Sequence, residues 1–194
     1  MRLFKQTPRR IRIALASRNN RDVGDIDVVI CSPGGVATTM LLEHLACFVR
    51  TNDKDDRDTL KHVPDPELLL SDPKFQGRIL YIYGDIDSTV ASIERRGWIR
   101  IQGAKLGSMS AVILSHTASR HAFENAVAAQ IQTFLGCKDP RLMTMRFEAI
   151  WENTERLSDF LGIEDPKFLE KFPQRKRRQT EQHHERMRSL ERQH

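Results

Sequence analysis

The segment that begins at Asp27 constrains the fold of this chain more than any other. Residues 27–31 (DVVIC) are mostly apolar and β-branched on both faces, which is typical of a strand buried in a parallel sheet. The strand ends in a Gly-rich turn at residues 32–35 (SPGG), and apolar residues then recur at helical spacing from Thr38 to Arg50. A strand, a Gly-rich turn and a helix therefore follow one another directly, as they do in phosphate-binding loops.

Further along the chain, strands again alternate with helices. Strands are predicted at Arg78–Tyr83 and Leu142–Phe147, with a short strand at Thr59–His62. Helices are predicted from about Ser88 to Arg96 with Asp85 or Asp87 as the N-cap, at Ser110–Leu135 before Gly136, and at Ala149–Leu161 before Gly162. This alternation predicts an α/β fold with three layers, in which helices cover both faces of a mainly parallel sheet.

Basic residues are concentrated at the two ends of the chain. Of the 31 Lys and Arg residues, seven fall in residues 1–21, which hold no acidic residue, and eight fall in residues 171–194. Because 194 residues suffice for one sizeable core, we predict a single α/β domain at residues 22–170 between a basic N-terminal arm and a basic C-terminal tail. Such arms are commonly solvated, but some close over an anionic ligand or touch nucleic acid.

Cysteine spacing and hydropathy indicate the compartment. Cys31, Cys47 and Cys137 form no CxxC pair, which argues against a zinc ribbon or a disulfide scaffold and favours a reducing cytoplasm. No apolar run approaches the roughly 20 residues that a membrane-spanning helix needs. The Arg-rich, acid-free start of the chain leaves organelle targeting open as an alternative.

The turn after the first strand has the composition of a phosphate cradle. Two glycines let the backbone approach a phosphate closely, and the first-turn N–H groups of the helix would point at the anion beside two threonine hydroxyls. The predicted binding residues are Gly34, Gly35, Val36, Ala37, Thr38 and Thr39. The alternative is an ordinary Gly-rich turn with Thr38 as the helix N-cap. Ordinary ATPases and kinases are disfavoured because the Gly-Lys-Ser/Thr signature is missing.

Gly34–Thr39, followed by Leu41-Leu42-Glu43, resembles the first loop of the sulfotransferase family. That loop usually reads Pro-Lys-Ser-Gly-Thr-Thr and binds the 5′-phosphosulfate of 3′-phosphoadenosine-5′-phosphosulfate. The match lies in the layout and in the pair of threonines. The family's loop lysine, which stabilises charge on the transferring sulfuryl group, would fall on Gly35 and is missing. The resemblance implies a fold like that of the P-loop nucleoside-triphosphate hydrolases.

The stretch Arg78–Ser92 resembles a second region of the family, a strand followed by Arg-Asp-Pro-Arg-Asp and a serine. Ser92 keeps the position of the serine that holds the nucleotide 3′-phosphate, whereas Gly84 replaces the phosphate-binding arginine. Arg96, with Arg95, lies one helical turn beyond Ser92 and is expected to compensate. A solvent-facing position for both arginines is the alternative.

Lys61-His62-Val63-Pro64 resembles the family's Lys-Ser/Thr-His-Leu-Pro stretch, in which histidine is the catalytic base. Deprotonating a hydroxyl needs a group that titrates near neutrality, as an unperturbed histidine does. The resemblance therefore implies that His62 is the base and that Lys61 helps to replace the missing loop lysine. A structural or exposed histidine before a proline is the alternative.

Two stretches near the end of the predicted domain also resemble motifs of the sulfotransferase family. Met145–Glu148 and Phe160–Ile163 are similar to its Arg-Tyr-Glu-Asp-Leu strand and to its helix ending in Phe-Leu-Gly. Beyond them, the family often closes its nucleotide site with a basic, glycine-containing segment. Residues 172–178 (FPQRKRR) supply charge without glycine, so Arg175 or Arg177 is implied as a contact to the 3′-phosphate, with a solvated tail as the alternative.

Together these regions predict transfer of a sulfuryl group from 3′-phosphoadenosine-5′-phosphosulfate to a hydroxyl of a carbohydrate or small-molecule acceptor. The alternatives are a sulfotransferase-like module that binds anions or partners without catalysis, and an atypical P-loop kinase. No metal is expected, since the polar segment 51–58 lacks the glycine and the terminal glutamate of an EF-hand loop. Nucleic acid is not an expected partner because no binding module is recognisable. The acceptor and the oligomeric state stay open.

Overall fold

Three parallel strands form the centre of the protein, whose computed structural model describes residues 23–175. They are β1 (Val28–Cys31), β2 (Arg78–Tyr83) and β3 (Leu142–Arg146), in the order β1-β2-β3. Val29 pairs with Ile79, and Ile79 also pairs with Leu142, so β2 is the central strand. The α/β class with a parallel sheet is therefore confirmed.

Helices fill the connections between the strands and follow the last strand. Along the described residues they are α1 (Thr38–Leu45), α2 (Glu67–Leu70), α3 (Ile86–Arg95), α4 (Ile99–Lys105), α5 (Met109–Ile113), α6 (His116–Gly136), a 3-10 turn (Phe147–Ala149), α7 (Thr154–Leu161) and α8 (Lys167–Glu170). Asp85 caps α3 by accepting a hydrogen bond from the Ser88 N–H at 2.8 Å, as one of the two predicted caps. No helix in residues 23–175 has the length and apolar character to cross a membrane.

Each face of the sheet has its own apolar core. Because side chains alternate along a strand, Val29 and Ile79 belong to one core, while Val28 and Leu80 belong to the other. The first core is completed by buried residues of α3 to α6, and the second by buried residues of α1, α7 and α8. Helices thus cover both faces, and the carboxyl ends of all three strands lie at the same edge of the sheet.

The side chain of Asn52 closes the outer edge of β1. The Ile30 N–H donates to Asn52 Oδ1 at 2.7 Å, and Asn52 Nδ2 donates to the Ile30 carbonyl oxygen at 3.2 Å. Thr51 forms an isolated parallel bridge with Val28 beside this pair. The amide of Asn52 therefore takes the place of a neighbouring strand and fixes the path of the chain after α1.

Three predicted helices have different bounds in the structure. The helix predicted at Thr38–Arg50 ends at Leu45, because the chain continues in tighter turns such as Cys47 N–H to His44 oxygen. The helix predicted at Ser110–Leu135 is broken between α5 and α6, where Leu114 is extended and its carbonyl accepts from the Ser119 hydroxyl. The helix predicted from Ala149 begins at Thr154, after the 3-10 turn.

The strand predicted at Thr59–His62 is wrong. Asp56 and Thr59 have positive φ angles of 59° and 61°, which a strand does not accommodate. Carboxylates of the same segment also accept the N–H groups that a strand would offer to a neighbour: Leu60 N–H donates to Asp58, and Lys61 N–H donates to Asp56. Helix α4, which no sequence pattern predicted, contacts this segment through Gln102 and Lys105.

Replacing Asn52 with alanine tests the role of its amide at the sheet edge. Asn52→Ala leaves the buried N–H and carbonyl of Ile30 without their partners, so the free energy of unfolding should fall by about 2–4 kcal/mol. Urea denaturation followed by circular dichroism measures this change. Thr51→Ala, one residue away with a half-buried side chain, is the control and should change stability by less than about 1 kcal/mol. Equal effects in the two variants would contradict the edge-closing role.

Candidate functional site

Ser32, the first residue after β1, organises the loop. Its N–H donates to the Lys61 carbonyl oxygen at 3.0 Å, and its own carbonyl oxygen lies 2.8 Å from His62 Nδ1. Its hydroxyl oxygen accepts from the Gly34 N–H at 3.1 Å and lies 2.6 Å from Thr38 Oγ1. A single buried residue thus joins the Gly-rich turn, the start of α1 and the segment at Lys61.

The two glycines of the loop are needed for conformation and for space. Gly34 and Gly35 have φ angles of 108° and 70°, which side-chain-bearing residues rarely adopt. A Cβ on Gly34 would lie 3.0 Å from Ile93 Cδ1, and one on Gly35 would lie 3.2 Å from Ser92 Oγ. The loop is therefore packed directly against α3.

The start of α1 is open to an anion rather than capped by a side chain. Ala37 is the N-cap residue, in a left-handed conformation at φ 55°, and no side chain within residues 23–175 caps the helix. Thr38 is the first helical residue, and its hydroxyl faces Ser32 instead of capping the helix. The alternative that made Thr38 the N-cap is therefore wrong, and the first-turn N–H groups keep the arrangement that favours anions.

An acidic turn at residues 53–61 holds Lys61 and His62 in place. Asp58 accepts from the Asp53 N–H at 2.6 Å and from the Leu60 N–H at 3.0 Å. Asp56 Oδ1 accepts from the Lys61 N–H at 2.9 Å, and Asp56 Oδ2 pairs with the Lys105 ammonium. Burial raises the pKa of Asp58. These carboxylates accept hydrogen bonds from backbone N–H groups and so fix the path of the chain. This structural role explains why so acidic a segment lies beside a Gly-rich loop.

Lys61 brings a positive charge to the threonine pair of the loop. Its Nζ donates to Thr39 Oγ1 at 2.6 Å and to the Lys54 carbonyl oxygen at 2.8 Å. Burial lowers the pKa of Lys61, and the nearby Asp56 carboxylate opposes that shift. A lysine from a separate segment therefore lies where the loop itself supplies none.

His62 is buried beside the loop with both ring nitrogens engaged. The Ser32 carbonyl oxygen can only accept, so Nδ1 bears the proton and Nε2 carries the lone pair. Gln102 Nε2 lies 3.3 Å from His62 Nε2 and donates to it. Burial lowers the pKa of His62 to about 4. The imidazole is thus neutral at physiological pH, and its lone pair faces α4. The expectation that His62 titrates near neutrality is therefore wrong, because the pKa of the buried imidazole is low and makes it a weaker base than an unperturbed histidine.

A cavity of about 730 Å³ lies between the loop, the acidic turn and helices α3 and α4. All six predicted loop residues, Lys61, His62 and Arg96 line it, together with Lys54, Asp55, Asp56, Ile93, Trp98, Ile101, Gln102 and Lys105. Four of these side chains are basic and two are acidic, so the cavity carries a surplus of positive charge suited to an anion. The Arg96 guanidinium lies over the Trp98 ring, 5.5 Å from its centroid.

Lys105 and Gln102 were missed by the sequence analysis. Both lie on α4, three residues apart on the face that meets the cavity. The only available signal was their helical i, i+3 spacing, and nothing local connects them to His62, which is 40 residues from Gln102 in sequence.

The predicted contacts to the 3′-phosphate do not meet at one point. Ser92 lies against Gly35, and Arg96 lines the cavity beside His62. Arg175 lies over the Trp151 ring and lines a second cavity of about 1,110 Å³, on the other side of the start of α1. Ala37 and Thr39 line both cavities. Arg177 lies outside the described residues.

Comparisons with family models, with curated proteins and with solved structures give no match to this chain.

The buried, neutral His62 predicts a specific loss of stability in acid. An unfolded histidine titrates near pH 6.5, and the folded-state pKa is about 4, so the unfolded state binds the proton first and unfolding is favoured as the pH falls through this window. Between pH 7 and pH 4.5, the free energy of unfolding should drop by about 2–3 kcal/mol more in the wild type than in His62→Asn. Urea titrations of both proteins at the two pH values measure this difference.

Every other titrating group is common to both proteins, so the comparison isolates His62. Parallel pH dependences in the wild type and in His62→Asn would mean that the imidazole is not buried in its neutral form.

Proposed function

We propose that this protein is a sulfotransferase with a P-loop-like fold that binds 3′-phosphoadenosine-5′-phosphosulfate. The acceptor in this proposal is a hydroxyl of a carbohydrate or another small molecule. The observation that most supports it is the position of Lys61, whose ammonium lies 2.6 Å from Thr39 Oγ1 at the uncapped start of α1. This arrangement restores the lysine that the loop sequence lacks.

The donor's 5′-phosphosulfate fits the chemistry of the loop. Backbone N–H groups at a helix start and an adjacent ammonium are the groups that proteins use to hold phosphate and sulfate oxygens. The left-handed residues Gly34, Gly35 and Ala37 turn the backbone at this point. Lys61 and Lys105 line the same cavity as the loop and add positive charge to it.

The proposed reaction uses His62 and Lys61 in separate roles. The acceptor O–H gives its proton to His62 Nε2 while its oxygen forms a bond to sulfur. The bond between sulfur and the bridging oxygen breaks, and its electron pair stays on the 5′-phosphate of the departing 3′-phosphoadenosine-5′-phosphate. The Lys61 ammonium stabilises this developing charge, and the lowering of its pKa by burial makes it a better proton donor.

A second candidate function is binding of the same nucleotide without catalysis. The observation that favours it is the occupied state of His62, whose two ring nitrogens contact the Ser32 carbonyl and Gln102. In this function the site acts as an anion-binding or interaction module.

Calorimetric titration with 3′-phosphoadenosine-5′-phosphate tests the nucleotide assignment. The wild type should bind this nucleotide more tightly than ADP or ATP. Lys61→Met should weaken binding by roughly 10- to 100-fold, because a charge-assisted hydrogen bond is lost. Lys74→Met, which removes an exposed lysine outside the site, is the matched control and should leave affinity unchanged.

Ser92→Ala and turnover measurements complete this experiment. Ser92→Ala should weaken binding of 3′-phosphoadenosine-5′-phosphate and leave ADP binding unchanged if Ser92 contacts the 3′-phosphate. Absence of binding by the wild type, or equal affinities of the wild type and Lys61→Met, would refute the proposal. If the wild type binds the nucleotide but releases no 3′-phosphoadenosine-5′-phosphate from the donor, the non-catalytic module is favoured. If the wild type turns the donor over, His62→Ala should nearly abolish that turnover.

A further inference from the structure

Gln102 contacts His62 Nε2, the ring nitrogen that would accept the proton if His62 acts as a base. The Nδ1–H of His62 is held by the Ser32 carbonyl oxygen, which leaves Nε2 as the only lone pair of the ring. The Gln102 amide nitrogen lies 3.3 Å from His62 Nε2. It occupies the position that a hydroxyl group would need in order to give its proton to this nitrogen.

The amide of Gln102 is held at one end only. Gln102 is 4% exposed, and its Oε1 has no hydrogen-bond partner among the residues that the structure describes. A buried carbonyl oxygen without a partner costs free energy, and that cost is relieved when the amide turns towards the open cavity. The contact to His62 is therefore inexpensive to break.

Gln130 shows what a fully anchored glutamine looks like in the same protein. It is equally buried at 3% exposure, yet its Oε1 accepts from the Tyr81 hydroxyl at 3.1 Å and its Nε2 donates to the Val63 carbonyl oxygen. Both ends of that amide are satisfied, so it fixes the chain next to His62. The contrast singles out Gln102 as a partner of the imidazole whose amide is held at one end only.

The backbone of Gln102 is fixed, so only its side chain can move. Its N–H donates to the Trp98 carbonyl oxygen at 2.8 Å, and its carbonyl accepts from the Leu106 N–H at 2.9 Å. The next residue, Gly103, packs so closely on α5 that an added Cβ would lie 2.5 Å from Ala111 Cβ. Helix α4 thus presents the amide from a rigid base.

We propose that Gln102 is a gate on His62: its amide occupies the lone pair of Nε2 until an acceptor hydroxyl displaces it. This inference rests on the proposed function in one respect, namely that Nε2 receives the acceptor proton. With the gate closed, His62 cannot activate water, so a bound donor is protected from hydrolysis until an acceptor arrives. Gln102 is a positioning residue in this scheme and takes no part in the bond changes.

Chemical modification of His62 tests the gate without any nucleotide or turnover. Diethyl pyrocarbonate acylates an unprotonated imidazole nitrogen, and mass spectrometry of peptides gives the rate at each histidine. Gln102→Met keeps the length of the side chain and removes the donor, so His62 should react about fivefold faster than in the wild type, the factor expected for the loss of one net hydrogen bond of about 1 kcal/mol. Gln102→Ala should react at least as fast.

Rates are expressed relative to His44 in the same sample, because His44 is also buried and its ring packs among aromatic side chains at the second cavity, which Gln102 does not line. If Gln102→Met matches the wild type and only Gln102→Ala is faster, Gln102 merely fills space and the gate is refuted. Nitrogen-15 NMR of the wild type should show the proton on Nδ1 of His62. A proton on Nε2 would equally overturn the proposal, while the nucleotide titration independently tests the proposed function.

Discussion

The four hydrogen-bonding contacts of Ser32 hold the site together. They connect the end of β1 to the Gly-rich turn, to Thr38 at the start of α1 and to the segment that contains Lys61 and His62. Because Ser32 is fully buried, each of these polar groups would be costly to leave without a partner. The geometry of the proposed anion site is therefore tied to the stability of the fold.

The acidic turn positions two basic residues, Lys61 and Lys105. Asp56 binds both the backbone of Lys61 and the ammonium of Lys105, so one buried carboxylate orients two cations towards the cavity. The cavity keeps a net positive charge despite these carboxylates, since the basic side chains that line it outnumber the acidic ones. Asn52, at the start of this turn, anchors it to β1.

Local patterns predicted the strands and the loop, because those signals lie within a few consecutive residues. The buried run at β1 and the strand Arg78–Tyr83 were found with correct bounds to within a residue. The strand predicted at Thr59–His62 failed because side-chain carboxylates, whose partners no pattern reveals, took its N–H groups. Gln102 and Lys105 escaped prediction since their contacts span 40 and 49 residues.

The loop was predicted from its own composition, the other site residues came from a resemblance, and the structure adds their geometry. It brings Lys61, His62 and the loop together, and it separates Arg96 from Arg175 into different cavities. A crystal structure with bound 3′-phosphoadenosine-5′-phosphate is the most direct test of the central claim. The 5′-phosphate should lie within hydrogen-bonding distance of Lys61 Nζ and of the first-turn N–H groups of α1. A 5′-phosphate bound away from both groups, for example beside Trp151, would contradict it.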